Sequence, residues 1–158
     1  MRRSRPDATD PATCERTALD LLARREHSRR ELERKLGARG FPDDAIAATL
    51  DALEESGALA AARFTESFIR ARVAKGQGPA RIRAELAARG IDREQAAELL
   101  RAAGIDWAAL AASVRDERFG AERPTDFKER ARQARFLEYR GFDRGQIGRA
   151  LGSVDELD

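Results

Sequence analysis

The sequence is poor in the residues that most often carry chemistry. Among 158 residues there is one cysteine, one histidine, one tyrosine and one tryptophan. Cys14 cannot close an internal disulfide, and nothing beside it has metal-ligand spacing. There is no HExxH, no CxxC, no G-x-S-x-G and no phosphate loop with Gly-Lys-Ser/Thr. Gly76-x-Gly78 lacks the third glycine of a dinucleotide fingerprint, because Arg81 stands where it is needed. His27, after one helix and before a cap, is expected on the surface or at a helix end. No enzyme, metal or cofactor is therefore expected. No apolar run approaches the roughly 20 residues that cross a bilayer. The polar stretch from Met1 to Pro11 has no secretory core. The reading is a cytoplasmic chain, monomeric and without membrane contact. Aromatic residues make up only 6% and β-branched residues are few, which argues against a sheet.

What is abundant favours helix. Ala supplies 31 residues of a 42% hydrophobic share, so large apolar side chains are thinly spread. They suit several small cores better than one thick one. Three segments share one punctuation mark: Arg39-Gly40-Phe41, Arg89-Gly90-Ile91 and Arg140-Gly141-Phe142. Leu36, Leu86 and Leu137 precede the glycines by the same interval; Leu50, Leu100 and Leu151 follow them by the same interval. Each mark reads as a helix end with glycine at C′ and an apolar residue closing over the last turn. Caps then open the next helices: Ser28 with Glu31, Asp92 with Gln95, Asp106, and Asp143 with Gln146; Pro42 and Asp43 do this in the first copy.

The fold expected is all-α: three tandem three-helix repeats, about nine helices, in an elongated, curved arrangement. The boundaries expected are a disordered tail over 1–12, repeats over 13–57, 58–104 and 105–152, and an acidic tail over 153–158. Helix 1 is expected from about Thr13 to Glu26. Phe64, Phe68, Trp107, Phe127 and Phe136 are expected in the cores.

Formal net charge is only +2, but 27 of the 30 bases are Arg and the charge is blocked. Residues 24–39 carry net +4, residues 41–62 net −5, and residues 63–89 net +5. Three basic sets follow, one per repeat: Arg24, Arg25, Arg29, Arg30 and Arg34; Arg70, Arg72, Lys75, Arg81 and Arg83; Arg130, Arg132, Arg135 and Arg140. Guanidinium forks suit phosphate and carboxylate. Helix 5 starts at Pro79, so its free N–H groups should add positive potential beside the second set. Evenly spaced cationic patches suit a repeating, anionic partner such as a nucleic acid or a filament.

The motifs resemble the RecX family of recombination regulators. The first match is Ala18-Leu19-x-Leu21-Leu22-Ala23-Arg24-Arg25-Glu26-His27-Ser28-x-x-Glu31-Leu32-x-x-Lys35-Leu36, followed by Gly40-Phe41. The second is Phe64 and Phe68 leading to Arg70-x-Arg72-x-x-Lys75-Gly76-x-Gly78-Pro79-x-Arg81-Ile82-x-x-Glu85-Leu86, then Gly90-Ile91. The third is Arg135-Phe136-Leu137-x-x-Arg140-Gly141-Phe142 with Ile147. The likeness runs from about Ala18 to Leu151. It implies a protein of DNA repair and the SOS response that binds RecA, chiefly as the filament on single-stranded DNA. Such a protein lies in the filament groove and inhibits ATP hydrolysis, strand exchange and coprotease activity. Binding to single-stranded DNA alone is expected to be weak. Twelve of the bases named above, all but Arg34 and Arg130, are the candidate RecA and DNA contacts, and acidic helix 3 would face basic patches on RecA. The alternative is a stand-alone DNA-binding helical module that does not depend on RecA.

Overall fold

The structure, a computed structural model, describes residues 10–152. Among them are nine helices and no strand: α1 (Pro11–Arg24), α2 (Arg29–Ala38), α3 (Asp43–Glu55), α4 (Ala61–Ala74), α5 (Pro79–Ala88), α6 (Arg93–Ala102), α7 (Trp107–Phe119), α8 (Phe127–Arg140) and α9 (Arg144–Leu151). No helix among the described residues is long and apolar enough to cross a membrane. Of the tail expected over 1–12, residues 1–9 lie outside the described residues, as does the tail expected over 153–158; Asp10 to Ala12 instead form the cap and start of α1.

Helix α1 begins two residues before the expected Thr13. Asp10 is its cap: one carboxylate oxygen accepts from the Ala12 N–H at 3.1 Å and the other from the Thr13 hydroxyl at 2.9 Å, with Pro11 opening the helix. The helix stops at Arg24 because Arg25 is fully extended (φ −165°, ψ 168°).

The glycine marks behave as helix ends. In the first, the Gly40 N–H reaches the Gly37 carbonyl at 3.0 Å and the Phe41 N–H the Leu36 carbonyl at 3.3 Å. In the third, Gly141 bonds Glu138 at 3.0 Å and Phe142 bonds Leu137 at 3.2 Å. That double bond pattern needs left-handed backbone at C′, and Gly40, Gly90 and Gly141 have φ of 91°, 80° and 101°. Phe41, Ile91 and Phe142 are buried behind them. Asp143 and Gln146 form a full capping box, and Asp92 and Asp106 cap α6 and α7. Pro42 differs from expectation. It is itself the cap of α3, without a side-chain bond, and Asp43 and Asp44 supply negative charge to the first turn.

The described residues form two compact units: residues 10–67 with 89–91, and residues 68–88 with 92–152. In the first, α1, α2 and α3 pack on one another around Cys14, Ala18, Leu21, Leu32, Leu36, Phe41, Ile46, Leu50 and Leu53. In the second, α7, α8 and α9 enclose Ala111, Val114, Leu137, Phe142, Ile147 and Leu151, with Trp107 and Phe136 partly buried against them. Each core holds few large side chains and correspondingly modest hydrophobic stabilisation.

Phe127 is not a core residue: it is 87% exposed. It occupies the first turn of α8, about 120° around the helix from the buried Gln133. Phe64 is buried, while Phe68, Trp107 and Phe136 are partly buried.

Candidate functional site

His27 is not at the surface. It is 1% exposed, in the α1–α2 turn, beside the buried capping residue Ser28. Its ring Nδ1 lies 3.0 Å from the Arg25 carbonyl and its Nε2 2.8 Å from the Lys35 Nζ. The ring therefore donates from Nδ1 to the carbonyl and accepts from the ammonium at Nε2. Burial, opposed by the Arg25 carbonyl bond and reinforced by the Arg25 and Lys35 charges, lowers its pKa below the usual histidine value. Burial also lowers Lys35, and the neighbouring Arg25 charge adds to it. Glu31 binds Arg25 at 2.8 Å and lies 3.7 Å from Arg89. The Arg-Arg-x-His-Ser stretch is thus a joint between two helices, held by side-chain charge and hydrogen bonds.

The Lys-Gly-x-Gly-Pro stretch is also a joint. Two of the N–H groups expected to be free at the start of α5 are taken. Gly78 donates to the Arg140 carbonyl at 2.8 Å and Ala80 to the Gly141 carbonyl at 3.0 Å. The N-terminus of α5 abuts the C-terminus of α8, so the two helix ends satisfy each other. The approach is close enough to exclude any side chain. A Cβ on Gly78 would lie 2.4 Å from the Gly141 carbonyl carbon, and one on Gly141 would lie 2.5 Å from the Arg81 Cβ. Arg140 closes the joint by donating to the Lys75 carbonyl at 2.9 Å. The Gly78 and Ala80 N–H groups of this turn are thus paired within the chain and are not open to an anion.

The twelve candidate contacts divide by what holds them. In the first unit, Arg29 is held by Glu33, Asp51 and Glu54 at 3.2, 2.7 and 3.0 Å. The Glu54 bond, aided by Asp51 and Glu33, raises its pKa further above the ordinary arginine value. This also neutralises part of the acidic face of α3. Arg25 is paired with Glu31, and Arg30 lies against Gly90, whose Cβ would be 3.1 Å from its Nε. Arg24 is exposed at the end of α1.

In the second unit, Arg72 bonds Glu85 at 2.9 Å and lies over the Phe68 ring at 4.6 Å. Arg81 shares Glu85 at 3.3 Å and lies 5.7 Å from the centre of the Tyr139 ring. Arg132 makes two bonds to Glu129, each 3.1 Å, and sits over Phe119. Gln133 and Arg132 together lower the pKa of that carboxyl. Arg70, Lys75, Arg83 and Arg135 are exposed, and like Arg24 their side chains have no partner among the described residues.

Lys75 and Arg140 do come together. They line a cleft of about 400 Å³ between the end of α4, α7 and α8. Its lining includes Phe136, with the guanidiniums of Arg118 and Arg140 over the ring at 5.8 and 5.2 Å. Lys75 and Arg118 face the same space, beside Glu117. A carboxylate or phosphate oxygen suits that pair of cations. Arg118 was not among the sequence candidates. Its spacing from Phe136 becomes visible only once α7 and α8 pack. No group of His, Cys, Asp and Glu that could hold a metal occurs among the described residues.

A chain of successive three-helix units, all α among the described residues, belongs to the helical-repeat proteins. The comparisons place it more closely. The descriptions "RecX, first three-helix domain", "second three-helix domain" and "third three-helix domain" match residues 14–53, 62–106 and 106–151. The "Regulatory protein RecX" of Pseudomonas entomophila (strain L48) is 52% identical over 148 residues, covering 94% of this chain and 96% of the relative. That of Ectopseudomonas mendocina (strain ymp) is 47% identical, covering 93% and 98%. The crystal structure of RecX from Lactobacillus salivarius superposes with a TM-score of 0.75 at 21% identity, covering 94% of this chain and 96% of the other. The chain belongs to the RecX family of regulatory proteins.

Proposed function

We propose that this chain binds RecA and RecA–single-stranded-DNA filaments, occupies the filament groove, and inhibits ATP hydrolysis, strand exchange and coprotease activity. Family membership over three successive three-helix domains carries this reading. The chemistry of the surface supports it. Arg24, Arg70, Lys75, Arg83 and Arg135 are exposed and uncommitted among the described residues, available to phosphate or to acidic RecA side chains. The more strongly held Arg25, Arg29, Arg72 and Arg140 shape the helices that present them. Exposed Asp43, Asp44 and Glu55 on α3 are available to basic patches on RecA. The protein works by occupancy, with no bond made or broken. Its action belongs in the reducing cytoplasm.

The test is RecA-dependent ATP hydrolysis on single-stranded DNA with the protein added below stoichiometry. Hydrolysis should fall. Unchanged hydrolysis at saturating protein removes the reading. A salt titration on naked DNA tests the stand-alone module: sequence-selective binding with no effect on RecA would favour it.

A further inference from the structure

The exposed face of α8 is built differently from every other cationic surface described above. Tyr139 is 78% exposed and Phe127 87% exposed, although isolated aromatic rings of this size usually find cover. At 3.6 residues per turn, Lys128, Arg132, Arg135 and Tyr139 fall within about 60° of one another on the helix. All four are exposed. Glu129 lies off this strip, bound to Arg132, and Glu138 lies on its Phe127 side. Arg81, from the start of α5, covers one face of the Tyr139 ring at 5.7 Å. The exposure of the residue leaves the opposite face to solvent. From Lys128 to Tyr139 the strip rises roughly 17 Å, the length of a few stretched nucleotides.

A ring backed by a guanidinium, open on its outer face and flanked by cations of one sign, is what an unpaired base stacks on. The cations then take the phosphates on either side. A duplex hides its base faces and has no use for an exposed ring at this position. The cleft at Phe136 is the contrasting case, because its ring is already covered by Arg118 and Arg140.

We propose that the outer face of α8 is a single-stranded nucleic-acid site, in which Tyr139 stacks a base over Arg81 while Lys128 and Arg135 bind the adjoining phosphates. This deepens the reading of the protein as a filament regulator, since it assigns the strand contact to one helix of the third repeat.

The test is fluorescence anisotropy of a labelled oligothymidylate titrated with full-length protein at low salt. It is repeated with an abasic strand of equal length and with a duplex. Tyr139→Ala should weaken oligothymidylate binding at least about fivefold, and Tyr139→Phe should restore it. Binding of the abasic strand should be the same for wild type and Tyr139→Ala. The variant removes a solvent-facing ring, and an unchanged thermal melt confirms its fold. Equal oligothymidylate affinity in wild type and Tyr139→Ala overturns the site, as does an equal loss on the abasic strand. So does a loss confined to binding of nucleic-acid-free RecA, which would make the face a protein contact. These outcomes are independent of RecA ATP hydrolysis. Failure to inhibit RecA would remove the regulator reading and leave the oligonucleotide result standing.

Discussion

The α1–α2 joint of the first unit and the α5–α8 joint of the second do the same work by opposite means. In the first, buried and half-buried side chains converge: His27 on Lys35, and Glu31 between Arg25 and Arg89. In the second, backbone meets backbone, and Gly78 and Gly141 leave no room for a Cβ. A charged joint depends on pH and ionic strength and tolerates small shifts. A steric joint depends on neither and tolerates none. Both lie in the stretches that most resemble the RecX family. Most cations available for contact lie outside the joints.

The largest effect expected is at the steric joint. Gly78→Ala must displace the α8 end, costing about 3 kcal/mol or more, whereas Gly37→Ala, with nothing within 4 Å of its Cβ, should be close to neutral. Urea unfolding followed by Trp107, the single tryptophan, resolves this; equal midpoints would refute the backbone contact. Next comes Glu31→Gln, which leaves Arg25 and Arg89 facing each other without their carboxylate. A loss of about 1–3 kcal/mol is expected, because the Glu31 side chain is only 11% exposed. Hydrogen exchange should place that loss at α1 and α2.

The pH response follows from His27. Its folded pKa lies below the unfolded value of about 6.5, so the unfolded chain binds more protons in the window between the two. The stabilising contribution is complete above about pH 6.5 and declines as pH falls toward the folded pKa. Unfolding curves at closely spaced pH values should show this slope, and His27→Gln should reduce it. An unchanged slope would show that the ring is not buried neutral.

The smallest stability effects are expected among the arginines, where the two kinds separate. Arg29→Ala should cost at most about 1 kcal/mol, since its ion pairs are partly solvated. It should leave RecA inhibition largely intact. Charge reversal at Arg70, Lys75 and Arg83 together should leave the thermal melt unchanged and sharply weaken inhibition. The reverse pattern would mean that the salt-bridged set makes the contacts.

Much of the fold could be read from residue pattern. The three glycine marks, the Leu spacing around them and the Asp caps are local, and local rules place nine helices from them. Errors arose where a neighbouring element decided the matter. His27 sits in a polar sequence context, yet α2 folds back so that Lys35 covers it. Phe127 is apolar in sequence, but in the first turn of α8 it is left 87% exposed. Pro79 does start a helix, but its N-terminal donors meet the Arg140 and Gly141 carbonyls from more than sixty residues away.

The candidate site was less legible for the same reason. Composition and charge blocks, short-range properties of the chain, determined that this would be a helical-repeat protein with cationic surfaces. Which arginines remain available was decided only by packing. Carboxylates distant in sequence, such as Asp51 and Glu54 beside Arg29, claim some guanidiniums, while among the described residues the outer face of α8 receives no such partner for Lys128 or Arg135. An ion pair forms wherever folding brings opposite charges within a few ångströms, and sequence separation does not set that distance.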